Sequence, residues 1–342
     1  MLDNKKATIC MVAAAAGTSK STVSRVVNND CRVKPATVAT VREVIERLDY
    51  QPKPVNNRPG PRLRRRKPIR HQQVALLFGG KPMLLHTPVY SRVTQGIEER
   101  LREDGWNLVV RTLPAERSWE AMPHRIDGAL LFGVNADDPR FMRELRSTTA
   151  VRIMGGRPME GDFFDHVTYD GGMIGQVAAD YLTGRGHRRL ACLAGVWGGR
   201  LASFVRAARK TGAEVTEMTA RANLVDESGK VQMPNREAMA EIASRLSRLN
   251  PRPTGIYVFA DIMVAGLQPA LIAAGLNPGT DIEIVGTNND AALLDILHPR
   301  PASVDIHVEQ VGRRAVEQLW WRLDHGREPR QVVQIEPEIA GK

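Results

Sequence analysis

Cysteine is scarce in this chain. Cys10, Cys31 and Cys192 are the only three in 342 residues, and they form neither a CxxC pair nor a zinc-type spacing. That excludes a disulfide framework and fits a reducing compartment. The eight histidines are scattered, with no HExxH or similar cluster, so no metal site is expected. No stretch approaches the roughly 18 consecutive apolar residues that a membrane span needs. The glycine pair Gly79-Gly80 is not followed by the Gly-Lys-Ser/Thr ending of a phosphate loop, which removes nucleoside-triphosphate binding there. No Ser/His/Asp set, paired-carboxylate arrangement or nucleotide fingerprint stands out, so an α/β enzyme is a weak reading and no cofactor is expected. Acidic residues are scarce at one end. Residues 1–70 hold sixteen Lys/Arg against five Asp/Glu, an excess of eleven, while the whole chain carries +10. A basic head on a near-neutral body points to a polyanionic partner for the head alone.

What the head does contain is a patterned helix. Place Lys20 to Asn28 on a helical wheel. Lys20, Ser21, Ser24, Arg25 and Asn28 then span roughly 140° of it, while Val23, Val26 and Val27 occupy the opposite side. Ser19 stands where an N-cap belongs. Ile9, Val12, Ala13 and Ala16 form an earlier amphipathic stretch closed by Gly17, so the two segments read as a helix-turn-helix. Pro35 opens a third helix whose buried side is Val38, Val41, Ile45 and Leu48. A competing reading takes Lys5-Lys6 and the apolar run Ala7 to Ala16 as an export signal, which would make the chain an exported periplasmic-type solute-binding protein. That reading leaves the helix-turn-helix pattern and the basic linker without a purpose.

Thr8-Ile9 with Val12-Ala13, Ala16-Gly17-Thr18-Ser19, Thr22 to Asn28, Val33, Thr37 and Leu48-Asp49-Tyr50-Gln51-Pro52 together resemble the headpiece of the lactose/galactose-repressor family of bacterial regulators. The resemblance implies that Lys20, Ser21 and Arg25 read bases. It makes Thr8, Ser19, Ser24, Asn28, Arg32 and Thr37 candidates for phosphate contacts, which position a domain without specifying sequence. Ser21 and Ser24 read equally well as solvated helix surface.

Residues 54–71 form a linker rich in proline and arginine. In the family a short hinge helix forms here and a leucine from it wedges into the minor groove. This chain has Pro59 at that leucine's place, and Pro52, Pro54 and Pro61 also oppose a helix. Arg58, Arg62, Arg64, Arg65, Arg66, Lys67 and Arg70 are expected to act instead as an extended arm on phosphates or in a narrow minor groove. A solvated tether is the plain alternative.

From residue 72 strands and helices alternate. Val74–Phe78, Leu108–Arg111, Gly128–Phe132, Val151–Met154, His166–Tyr169, Leu190–Ala194, Val215–Met218, Gly255–Phe259, Ile282–Gly286 and Val332–Ile335 read as strands. Ser91–Asp104, Gly172–Thr183, Arg236–Leu249, Asp261–Ala274 and Val308–Leu323 read as helices. Repeated βαβ of this kind gives parallel sheets with ligands outside the strand carboxyl ends. Only Leu113–Arg125 joins the second and third strands, so a very short helix is expected there.

Thr168-Tyr169-Asp170, Tyr181-Leu182 with Gly186-His187-Arg188-Arg189, Arg200 with Phe204, Asp261-Ile262-Met263, Ile284-Val285-Gly286 and Gly312-Arg313-Arg314-Ala315 resemble that family's effector domain. The implied fold class is an all-α helix-turn-helix headpiece, residues 1–53, followed by a two-lobed, periplasmic-binding-protein-like α/β domain with parallel sheets, residues 72–342. Three crossings between lobes are placed near 185, 304 and 334. Lobe 1 then takes about 72–184 and 305–333, and lobe 2 about 185–304 and 334–342.

By the resemblance the effector sits between the lobes, with Arg200 facing it. Tyr90, Asp170, Asp261 and Asn288 are further candidates, Tyr90 and Asp170 being equally suited to structural roles. Gly286-Thr287-Asn288 replaces the family's Gly-aromatic-Asp, so the charged acceptor that holds vicinal hydroxyls is lost. The expected protein is a non-enzymatic, cytoplasmic, nucleoid-associated regulator. As a homodimer it would repress from a palindromic double-stranded DNA operator under control of a small-molecule effector, a sugar or related metabolite. Leu293, Leu294, Ile296 and Leu297 are candidates for the dimer interface.

Overall fold

The computed structural model describes residues 7–27, 33–51, 71–79, 87–113, 125–134, 139–154, 163–194, 198–219 and 236–341. The chain divides into two compact units, Met1–Pro68 and Ile69–Lys342. Asn28, Arg32 and the linker arginines lie outside the described residues, as do most of the 79–88 loop and of the 113–125 connection.

The first unit holds α1 (Ile9–Ala15), α2 (Lys20–Val27) and α3 (Pro35–Arg47). Thr8 caps α1, accepting from Met11 N–H. The helix stops because Gly17 takes φ +61° and the Thr18 N–H turns back to Ala13 O at 2.9 Å, a left-handed closure that glycine adopts without steric cost. Ser19 Oγ then accepts from Thr22 N–H at 3.2 Å and starts α2. Pro35 occupies the first turn of α3. Val12, Ala13, Val23, Val26, Val41 and Val44 close into one small core.

The second unit begins with β1 (Gln73–Phe78), α4 (Pro88–Glu103), β2 (Asn107–Thr112), β3 (Gly128–Phe132), α5 (Pro139–Ser147), β4 (Ala150–Ile153) and β5 (Asp165–Tyr169). It continues with α6 (Gly171–Gly184), β6 (Arg189–Ala194), α7 (Gly198–Lys210), β7 (Glu214–Thr219), α8 (Arg236–Arg248), β8 (Gly255–Val258), α9 (Asp261–Ala273), β9 (Glu283–Thr287), α10 (Ala291–Leu294) and β10 (Ala302–Asp305). The chain ends with α11 (Val308–Asp324), β11 (Val332–Ile335) and β12 (Glu338–Ala340). One sheet has the order β11-β5-β4-β3-β1-β2 and is parallel throughout. The other has the order β12-β10-β9-β8-β6-β7 and is parallel except where β12 joins β10. β1 and β3, central in the first sheet, are unbroken apolar runs buried on both faces, as a sheet covered on two sides demands.

The lobes exchange chain three times. The first crossing differs from the expectation at 185. β5 ends at Tyr169, Asp170 caps α6 at once, and α6 packs on β8, β9, β10 and β12 of the second sheet. Ile174, Ala178, Ala179 and Leu182 are buried there, so the chain has already changed lobe by about residue 170. The other two passages follow β10, into α11, and β11, into β12. In the first lobe α4 and α11 meet backbone to backbone, since a Cβ on Gly96 would lie 2.0 Å from Glu309 O. Among the described residues no helix is long and apolar enough to cross a membrane, and no group of His, Cys, Asp and Glu could hold a metal ion.

Candidate functional site

The first unit presents one polar helix face. Val23 and Val26 of α2 are buried, whereas Lys20, Ser21 and Arg25 are exposed and Ser24 is half-buried. The valines anchor the helix and leave two cations on its outer surface, free of the core. Ser21 is less free. Its hydroxyl lies 2.7 Å from Ser19 Oγ, which is also 2.8 Å from Thr22 Oγ1. Thr8 and Ser19 both hold helix N-termini together, and Thr37 is half-buried in the first turn of α3. Thr8 can still offer its hydroxyl outward, because an oxygen that accepts one N–H keeps a lone pair and a proton. Ser19 Oγ, by contrast, is taken up by Thr22 N–H and the Ser21 and Thr22 hydroxyls.

In the second unit the predicted residues cluster at the carboxyl ends of strands from both sheets. Tyr90, early in α4, sits edge-on to Phe78 at 4.9 Å and to Phe132 at 6.3 Å. Burial pushes its hydroxyl above the usual range, while the hydrogen bond with Thr94 works against the shift. Arg200, on α7, lays its guanidinium 4.8 Å over the ring of Tyr169 and donates to Phe259 O at 3.2 Å. The cation is thereby held between the end of β5 in one lobe and the chain just after β8 in the other. A half-buried guanidinium on a tyrosine face is a rigid fork for carboxylate, phosphate or sugar hydroxyls.

Asp261 lies against the end of β9, beside Gly286, and Asn288 follows that strand. Asp261 has no exposed surface. It accepts from Asp290 N–H at 2.8 Å and from Ser303 Oγ at 2.9 and 3.0 Å. Burial pushes its carboxyl up to about 7, against those hydrogen bonds. A Cβ on Gly286 would lie 2.0 Å from Asp261 Oδ1, so the carboxylate fits here only beside glycine. Asn288 is buried at φ 105° and Asn289 follows at φ 51°.

Arg92 escaped the sequence reading. From α4 it donates across to Asn288 O at 2.6 Å and to Asp290 Oδ1 at 2.9 Å, while it also grips Glu309. Burial opposes its charge, yet Glu309 and Asp290 hold it above the usual range. Burial outweighs Arg92 at Asp290 and raises that carboxyl. At Glu309 burial also acts upward, but the hydrogen bond from Arg92 brings the carboxyl below the usual range. Nothing in the sequence marks the pairing of residues 92 and 290. Tyr169, by contrast, stood inside a recognised motif and could have been found there.

The description "Bacterial regulatory proteins, lacI family" matches residues 8–53, and "Periplasmic binding protein-like domain" matches residues 179–341. The chain belongs to the lacI family. It is 28% identical to the HTH-type transcriptional repressor PurR of Serratia proteamaculans, over 97% of this chain and 95% of that protein. It is 26% identical to the ribose operon repressor of Escherichia coli, over 97% of each. Its fold matches the transcriptional regulator CelR–cellobiose complex with a TM-score of 0.63 at 25% identity, covering 98% of both chains.

Two residues expected in the cleft of this lacI-family chain also serve its own fold. Asp170 Oδ1 accepts from Gly172 N–H at 2.8 Å and from Met173 N–H at 3.1 Å, satisfying the first turn of α6. Asp261 is sealed beneath Asp290 and Ser303. Arg200 and Tyr90 keep partly exposed polar groups at the strand ends. Of the candidate interface residues Leu294 is core, whereas Ile296 is 77% exposed.

Proposed function

We propose that this chain is a cytoplasmic, nucleoid-associated, sequence-specific DNA-binding repressor that works as a homodimer on a palindromic operator. A small molecule in the interlobe cleft, a sugar or related metabolite, tunes its affinity. The observation that carries the reading is α2, whose buried valines leave Lys20 and Arg25 exposed on one face. Such a helix fits the major groove, where an arginine pairs bidentately with guanine. The relatives support the reading, since PurR and the ribose operon protein are named repressors and CelR was solved with cellobiose.

Within this proposal residues 1–53 bind DNA, 54–71 form the basic arm and 72–342 bind the effector. Lys20, Ser21 and Arg25 read bases; Thr8, Ser19, Ser24, Asn28, Arg32, Thr37 and the arm residues Arg58, Arg62, Arg64 and Arg65 hold phosphates. Tyr90, Arg200 and Asn288 line the cleft. Catalysis has no part in it. Export is not favoured, because the apolar run it would use builds α1, with Val12 and Ala13 in the headpiece core. Selection of bound DNA from a random pool is the test. Enrichment of an inverted repeat is expected, and its absence at moderate salt overturns the reading.

A further inference from the structure

Arg92 belongs to the first lobe by its helix and to the second by three of its five hydrogen bonds. Nε and Nη2 donate to Glu309 Oε1 at 2.5 Å and to Oε2 at 2.9 Å, a fork-on-fork pair that fixes the guanidinium plane. Glu309 lies in the first turn of α11, which packs on α4 within the same lobe. The pair therefore does not tie the lobes together. It aims the remaining nitrogen.

Nη1 points at the turn that follows β9. It donates to Asn288 O at 2.6 Å, Asn289 O at 3.2 Å and Asp290 Oδ1 at 2.9 Å. Two consecutive asparagines in the left-handed region make this a strained turn, each such residue costing on the order of 1–3 kcal/mol. Their carbonyls converge on one cation, which offsets that cost. The turn is in turn welded to the second lobe. Asn288 N–H donates to Val304 O at 2.9 Å, Asn289 N–H to Ser303 Oγ at 3.0 Å, and Asn289 Nδ2 to Asp305 Oδ2 at 2.9 Å. A displacement of Arg92 relative to the turn is thus a displacement of one lobe relative to the other.

We infer that Arg92 is a positioning residue that latches the two lobes together through turn 288–290 and sets the opening of the cleft. It bridges the Asp290 carboxylate of one lobe and the Glu309 carboxylate of the other. Without the cation both carboxylates lose their ion pair with Arg92, and the backbone carbonyls at 288 and 289 lose this donor. The latch is broken by loss of the fork, not only of the charge, because a lysine cannot grip Glu309 and reach the turn in one plane. The inference needs the two-lobed unit alone and stands or falls independently of DNA binding.

The test measures lobe separation in the full-length chain. Spin labels go on cysteines placed at exposed Glu98 of α4 and exposed Glu241 of α8, with Cys10 and Cys31 changed to serine. Double electron–electron resonance then compares wild type with Arg92→Met, which keeps the unbranched stem and removes every donor. Wild type should give one dominant distance. The variant should raise the population at other distances at least about tenfold, as expected when several charge-assisted hydrogen bonds bias a two-state equilibrium. Arg92→Lys should fall between. A lower unfolding midpoint with an unchanged distance distribution would make Arg92 merely structural and overturn the latch. If Arg92→Met does not fold, Glu309→Gln decides in the same way, since it keeps the cation and loosens only the fork.

Discussion

Replacing Asp261 with asparagine isolates one buried carboxyl from the rest of the protein. In the unfolded chain an aspartate loses its proton near pH 3.9. In the folded chain Asp261 keeps it to about 7, because burial outweighs the hydrogen bonds from Asp290 N–H and Ser303. Below pH 4 both states are protonated and the group contributes its full stability. Between 4 and 7 only the folded state holds the proton, so stability falls by about 1.4 kcal/mol per pH unit. Across that window the loss reaches about 4 kcal/mol, and above pH 7 it is constant. Asparagine has the same shape and no proton to lose. The difference in unfolding free energy, Asp261→Asn minus wild type, should therefore climb by about 4 kcal/mol from pH 4 to pH 8. Apart from Asp290, whose charge couples to Asp261, the other titrations are shared by both proteins and cancel. Urea unfolding at five pH values, with the slope on urea fixed between the two proteins, gives the difference directly. A flat or falling difference would refute the reasoning, because it would mean that the carboxylate is ionised in the folded state near its ordinary value.

Three further outcomes follow from the same structure. Arg25→Ala should weaken binding to the selected operator by about 1–3 kcal/mol while leaving scrambled DNA little changed; equal losses on both in a filter-binding assay would remove Arg25 from base reading. Gly175→Ala puts a Cβ 2.1 Å from Arg200 O and 2.4 Å from Phe204 N, where α6 and α7 touch. Overpacking of backbone should cost about 1–3 kcal/mol or more against a helix-propensity gain of about 1 kcal/mol, so an unchanged or raised urea midpoint counts against that close crossing. Isothermal titration of a sugar and metabolite panel into wild type should yield a heat-producing ligand whose binding Arg200→Ala weakens at least about tenfold, as for a lost charge-assisted hydrogen bond; equal heats would take Arg200 out of the cleft.

The headpiece was legible because every signal in it is local. Gly17, Ser19 and Pro35 sit at the points where helices start and stop, and the valine spacing of α2 is a period that one turn of helix imposes. The sheets were legible for the same reason wherever strands are long and apolar, as in β1 and β3. β10 was not read as a strand, because Ala302–Asp305 is four residues long and follows Pro299 and Pro301. β12, at three residues, carries no alternation to detect. The first crossing was placed about fifteen residues late for a different reason: the pattern of α6 shows a buried face and not which sheet it is buried against. The cleft was legible only residue by residue. Arg200 stands in a recognisable motif, whereas the role of Arg92 depends on a turn almost two hundred positions away, and sequence spacing carries no such information.

Asp170 and Asp261 show that an acidic residue at a strand end has more than one use. Both are acidic residues at the start of a helix in a lobe built for ligands, and both were natural choices for contacts with sugar hydroxyls. A carboxylate at that place has a competing use, because the first turn of a helix offers unpaired N–H groups. Asp170 takes that use directly through Oδ1. Asp261 goes further down, where Gly286 admits it and Ser303 and Asp290 satisfy it. Asp290 then stands between Asp261 and Arg92: its N–H goes to Asp261 and its carboxylate accepts from Arg92. The polar residues beneath these strand ends therefore serve geometry first: they satisfy a strained turn and the first turn of a helix, while Arg200 is held by Tyr169 and Phe259 O.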